Sequence, residues 1–215
     1  MIILSSAYLA PIQYYAHLYA SDEVVEDRRE HFVKQTYRNR CYISTPQGAL
    51  PLTVPIVRDG ASRTRMCDIR LSDHGNWRHR HWTALSSAYE SSPYFMYYAD
   101  DLRPAFERSF QFLTDFNEML EFTILGLLGL NCNIRLSDSY IDPLTPDAID
   151  LRSAISPKAP LRSDPQFHPI PYYQVFADRT GFLPNLSIVD LLFNLGPESR
   201  LVLKHSLYST DRRPQ

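Results

Sequence analysis

The chain has 215 residues, 44% of them apolar and 13% aromatic, enough for one domain with a sizeable core. A net charge of −2 excludes the broad basic surface of a nucleic-acid or anionic-membrane binder. No apolar run reaches bilayer length, the longest being Phe122 to Leu130, so no membrane insertion is expected.

The opening, MIILSSAYLAPIQYY, lacks the cationic start of a secretory signal, and the expected location is the cytoplasm. Its first five residues suit a buried strand, and Pro11 opens a helix over Ile12 to Ala20. Such a strand–turn–helix start is the building unit of open α/β sheets. The turn holds no glycine, so side chains such as Gln13 and Tyr14 would have to carry any binding there. Glu23 to Asp27 reads as a second short strand. The segment Lys34 to Val57 then joins a cationic cluster to a β-hairpin: strands over Cys41–Thr45 and Leu50–Val57, and a turn at Pro46-Gln47-Gly48. Arg58 to Arg65 reads as a loop, and Cys67 to Leu71 as a further strand with Asp68 and Arg70 on one face.

The period then becomes helical. Asn76 is placed to cap WRHRHWTALSSAYESS, on which His81, Leu85 and Tyr89 share a stripe and His79 faces the other way. The HRH triplet therefore cannot clamp one metal ion, and no metal site is expected. Pro93 ends this helix, and Tyr94 to Tyr98 form an aromatic knot. Asp101 and Pro104 introduce one long helix near 103–128, closed by Gly126 and Gly129. Asn131 to Ser137 returns as a strand. Seven of the 16 prolines fall between Pro143 and Pro171, a loop expected to lie over the sheet, with one short helix at 147–158. Ser187 and Asp190 have capping-box spacing before Leu191-Leu192-Phe193, Asn194 and Gly196 stop that helix, and another follows from Pro197. The fold class is α/β, with a single domain over 1–208, a central mixed sheet with a β-hairpin, flanking helices, and a flexible tail at 209–215.

Most cations are arginines, the only lysines being Lys34, Lys158 and Lys204. Guanidinium groups grip phosphate or carboxylate at two points, so Lys34, Arg38 and Arg40 are candidates to hold an anionic small molecule. Tyr37, Asn39, Gln13, Tyr14, Thr53, Trp77 and Tyr89 are candidates to orient its polar groups. The competing reading is that the arginines pair with Glu26, Asp27 or Glu30. His81 and Asp190 are the candidate proton carriers. Cys41, beside Arg38 and Arg40, is the one candidate thiol nucleophile. No pattern names a cofactor, and none fixes the oligomeric state.

Several blocks together resemble the WbqC-like family: SSAYLAPIQYYAHL, KQTYRNRCYI, LTVPI, NWRHRHWTALSSAYESSPYF, YYQVF and FLPNLSIVDLLFNLGPES. Positions matching family motifs include Gln13, Tyr14, Arg38, Asn39, Arg40, Thr53, Trp77, His81, Tyr89 and Asp190. The resemblance implies a bacterial cytosolic step in surface polysaccharide, O-antigen or glycoconjugate assembly. It assigns no catalytic residue. The reading that follows is a possible transferase acting on a nucleotide- or phosphate-bearing sugar. The alternative is a non-catalytic accessory protein of the same pathway, docking a partner through the Tyr94–Tyr98 knot.

Overall fold

A computed structural model describes residues 1–57 and 63–208. The expected tail at 209–215, and most of the loop expected over Arg58 to Arg65, lie outside the described residues.

Strand β1 (Ile2–Leu4) is followed by helix α1 (Ile12–Ala20) and strand β2 (Val24–Glu26), so the opening is a β–α–β crossover with Pro11 at the helix start. Both strands are buried throughout, as expected of central parallel strands. Two short strands complete the sheet: β5 (Ile134–Leu136) beside β2, and β6 (Ile149–Asp150) beside β1. The order is β5-β2-β1-β6, and every pairing is parallel. The hairpin of β3 (Arg40–Thr45) and β4 (Gly48–Thr53) forms its own antiparallel pair, with Cys41 opposite Leu52. The expected mixed sheet is therefore two sheets, one wholly parallel and one antiparallel.

The helices are α2 (Trp77–Tyr89), α3 (Phe95–Glu107), α4 (Leu113–Leu128), α5 (Ala177–Thr180), α6 (Ile188–Leu195) and α7 (Ser199–His205). All residues of α6 from Ile188 to Asn194 are buried, which makes it the central helix of the core. Gly196 closes α6 at φ 54, and the Tyr94 ring lies 2.4 Å from where a Cβ would stand, so only glycine fits there.

The long helix expected over 103–128 is two helices. Pro104 lies inside α3 rather than at a helix start, and the chain leaves helical geometry at Arg108. The backbone that follows bonds elsewhere: Leu71 N–H donates to Gln111 O at 3.0 Å, and Leu113 N–H to Ile69 O at 2.9 Å. Those bonds also correct the expected strand at Cys67–Leu71. It begins as a 3-10 turn, Met66–Asp68, and only its end makes strand-like bridges, Ile56 to Leu71 and Arg70 to Phe112. The helix expected at 147–158 is β6 followed by turns, because Leu151 N–H bonds Ile3 O at 3.0 Å and extends the parallel sheet. Two expected caps also differ. Asn76 sits at φ 47 without a capping bond, and the Ser187 hydroxyl donates to Leu9 O at 2.8 Å instead of to its own helix.

Candidate functional site

In open parallel sheets, ligands collect beyond the carboxyl ends of the strands, where the strand order reverses. Here β1 leads to β2 and then β5 on one side, while β6 is added on the other. The reversal falls between β1 and β6. Ser5 and Ser6 follow β1, Asp27 follows β2, Ser137 follows β5, and Leu151 and Arg152 follow β6.

These ends carry a buried charge cluster. Asp27 has no exposed surface, and Arg152 is 6% exposed. The Arg152 Nη1 donates to Asp27 Oδ2, Nε and Nη2 donate to Asp150 at 2.9 and 2.7 Å, and Nη2 also reaches Ile141 O at 2.9 Å. Burial opposes ionisation of Asp150, but the Arg152 hydrogen bonds win and hold its carboxyl below the usual range. Asp27 further receives Ser137 Oγ–H at 2.9 Å and the N–H groups of Arg29 and Glu30 at 2.8 and 3.1 Å. Arg38, 5% exposed, forks onto Glu30 at 2.9 and 2.5 Å and donates to Thr36 Oγ1 at 3.2 Å.

Between the two arginines opens a cleft of about 420 Å³, lined by Glu30, His31, Arg38, Tyr140, Asp150 and Arg152 among others. That volume is in the range of small-molecule sites. Tyr140 lies across Arg152, 5.2 Å from guanidinium carbon to ring centre. A small recess beside it, framed by Ser5, Tyr14, Tyr37, Arg38 and Arg152, reaches the β1–β6 reversal. Two carboxylates (Glu30, Asp150) and two guanidinium groups (Arg38, Arg152) line the cleft, so its wall is balanced in formal charge, with Asp27 buried behind it. Such a cleft offers carboxylate acceptors and guanidinium donors side by side to a polar ligand.

The structure gathers Tyr14, Tyr37 and Arg38 at this end and distributes the other sequence candidates elsewhere. Lys34 is exposed on the preceding loop. The Asn39 amide holds Val54 O at 2.9 Å, and Arg40 Nε bonds Thr53 Oγ1 at 2.8 Å across the hairpin, so those three serve the hairpin. Gln13 donates to Asp164 Oδ2 at 2.8 Å and accepts from Asn185 at 3.0 Å. His17 meets the same Asp164 oxygen at 2.6 Å, which ties the proline-rich loop down onto α1.

His81 and Trp77 sit on α2, ring centres 5.2 Å apart. The Tyr8 hydroxyl meets His81 Nδ1 at 2.8 Å. Burial, with the charge of Arg80 adding to it, pushes the imidazole down to about 4, so it is neutral at physiological pH. Asp190 is fully buried and accepts from Tyr89 OH at 2.7 Å, Tyr172 OH at 2.5 Å and Gln174 Nε2 at 3.1 Å. Burial raises its carboxyl above the usual range even so. Cys41 is buried, and its thiol is pushed well up by burial, the reverse of what adjacent arginines would do to an open thiol. Among the described residues no group of three or more His, Cys, Asp or Glu side chains is placed to hold a metal ion.

Sequence reasoning missed Asp27, Asp150 and Arg152 as site residues. The available signal was positional: VVED sets two acids at the end of a short apolar run, where a parallel strand delivers its ligand contacts, while IDLR alternates apolar and charged residues and gives no such run.

The family model for the WbqC-like protein family matches residues 6–156. The chain belongs to the WbqC-like protein family. The matched region holds every residue of the sheet-end cleft, while Asp164, Tyr172 and Asp190 fall beyond it. The chain is also similar to the uncharacterized protein Rv1507c of Mycobacterium tuberculosis, 26% identical over 226 residues that span 94% of this chain and 96% of that one. No solved structure matches. No helix among the described residues of this WbqC-like chain is long and apolar enough to cross a membrane.

Proposed function

We propose that this WbqC-like protein is a cytoplasmic enzyme of bacterial surface polysaccharide or glycoconjugate assembly that transfers a group to or from a nucleotide- or phosphate-bearing sugar. One observation carries the reading: a ligand-sized cleft stands at the carboxyl ends of the parallel strands, beside the reversal of strand order, with buried charged side chains locked in its wall. Asp150 and Glu30 accept hydroxyl or amino groups of the sugar, and the remaining N–H groups of Arg38 and Arg152 donate to its oxygens. Arginines clamped this firmly cost little reorganisation when a substrate arrives.

A non-catalytic binding role in the same pathway is the second reading. It is favoured by His81 and Asp190, the expected proton carriers, being held inside the core by Tyr8, Tyr89, Tyr172 and Gln174.

A thermal-shift screen with amino sugars, nucleotide-linked sugars, coenzyme A and phosphate tests the proposal. A ligand at about 100 times its Kd stabilises by roughly 2.7 kcal/mol. The expected result is a shift with a sugar-bearing ligand that Asp150→Asn abolishes while the protein stays folded. A shift unchanged in Asp150→Asn would remove the sheet-end cleft from the binding site. Product formed on incubation with the hit separates the enzyme from the binding protein.

A further inference from the structure

Two kinds of surface meet in the wall of the sheet-end cleft. Tyr140, Val33 and Pro143 supply an apolar lining, and Tyr140 is 55% exposed. The Tyr140 ring rests against the Arg152 guanidinium at 5.2 Å, and that guanidinium is itself tied to Asp27, Asp150 and Ile141. The backbone beside the ring is held as well, because Ile141 N–H donates to Asp27 Oδ2 at 3.3 Å. An exposed aromatic ring on so firm a support is a rigid apolar platform.

The polar lining is of a particular kind. Every guanidinium nitrogen of Arg38 and Arg152 already donates to a protein oxygen. The Asp150 side chain is 17% exposed, and its Oδ2 accepts one hydrogen bond, from Arg152 Nη2 at 2.7 Å, so it has capacity for another donor. Ser153 and Ser156 also line the cleft. Among the described residues, neither hydroxyl has a hydrogen-bond partner.

These groups suit a ligand rich in hydroxyls. A phosphate brings acceptors only, so it would have to share guanidinium groups that Asp27, Glu30 and Asp150 already hold. A sugar ring brings hydroxyls that donate to Asp150 and both donate to and accept from the two serines. One face of such a ring carries carbon–hydrogen bonds and is apolar, which fits it to an aromatic platform. The two kinds of lining therefore match the two aspects of a single ligand.

We propose that this cleft holds the sugar ring of its ligand, with Tyr140 as the stacking platform and Asp150, Ser153 and Ser156 taking ring hydroxyls. The inference rests on the function proposed above. It adds which half of the ligand lies at the sheet end and the residue that positions it.

Isothermal titration calorimetry with UDP-glucose, UDP-N-acetylglucosamine and GDP-mannose, beside UDP and GDP, tests it. At least one sugar-bearing ligand is expected to bind, with its parent diphosphate weaker by about tenfold or more. Tyr140→Ala should weaken that ligand by about tenfold and leave the diphosphate unchanged, with circular dichroism confirming the fold. Tyr140→Phe should keep the affinity, because the ring and not its hydroxyl is the platform. A purely structural role for Tyr140 would not separate the sugar-bearing ligand from its diphosphate. Equal affinity in Tyr140→Ala, or a diphosphate that binds as tightly as its sugar-bearing form, overturns the sugar platform and leaves the enzyme reading in place. No binding by any of the five overturns both.

Discussion

Asp27 and Arg152, 125 residues apart in sequence, form a buried ion pair at the carboxyl end of the parallel sheet. The pair joins the end of β2 to the end of β6 across β1 and so fixes the geometry of the cleft wall. Removing one partner strands a charge in the interior, which costs about 3–5 kcal/mol. Arg152→Met is therefore expected to lower the unfolding free energy by that amount. Urea denaturation measures it, and an unchanged slope will show that the loss lies in stability and not in compactness. Adding Asp27→Asn to Arg152→Met should recover part of the loss, since the stranded carboxylate is then gone.

The Asp190 network gives a separate expectation. Tyr172 OH donates to Asp190 Oδ2 at 2.5 Å and fastens the end of the proline-rich loop to α6. A hydrogen bond to a charged group contributes roughly 1.5–3 kcal/mol. Tyr172→Phe should lose about that much stability and speed proteolysis within 143–171, while ligand binding in the sheet-end cleft stays intact. Loss of turnover without loss of stability would instead restore Asp190 to a chemical role.

Local signals were legible wherever local chemistry decided the structure. Pro11 set the start of α1, the Pro46-Gln47-Gly48 turn set the hairpin, and Gly196 set the end of α6. The errors arose where distant backbone outbid local propensity. The apolar stripe from Phe106 to Leu127 reads as one helix, but residues 111–113 bond Ile69 and Leu71 and break it. DAIDLRSAISPK has helical composition, yet its Ile149 and Leu151 amides find Met1 and Ile3 carbonyls. That second error also hid the site, because Arg152 gains its meaning only at the end of a strand. Arg38 was visible as a binding candidate, and so was its competing partner Glu30. Which of the two readings describes its guanidinium depends on burial that no sequence period reports.

Glu121 gives a pH-dependent expectation. It is half-buried close to the buried Glu26, and the Tyr14 hydroxyl donates to its Oε1 at 2.9 Å. Burial, and then the Glu26 charge, push its carboxyl from 4.5 up to about 8. The folded protein therefore holds a proton there that the unfolded chain releases near 4.5. Stability must fall as pH rises from that value toward about 8. Glu121→Gln removes the titration. Its Tm should exceed that of the wild type by about 2–4 °C at alkaline pH and converge with it in acid, since roughly 1 kcal/mol moves Tm by that much in a domain this size. Parallel Tm–pH curves would show that Glu121 does not titrate in this range.

His81 gives the test that separates its two readings. Burial lowers the imidazole from 6.5 to about 4, while the Tyr8 hydroxyl bonds its Nδ1 at 2.8 Å. The unfolded chain takes up a proton near 6.5 that the folded protein refuses until about 4. The stability contributed by neutral His81 is thus fully present above the unfolded value and is lost as pH falls toward the folded one. Wild-type protein should weaken through that window, and His81→Gln should weaken less. The His81 ring proton resonances should stay fixed from neutral pH down to about 5, below which they begin to move. An inflection near neutrality would mean that the imidazole reaches solvent or substrate, and His81 would return as the proton carrier. A flat titration leaves His81 as a brace between Tyr8 and Trp77, and turns the search for acid–base groups to Glu30, His31 and Asp150 in the sheet-end cleft.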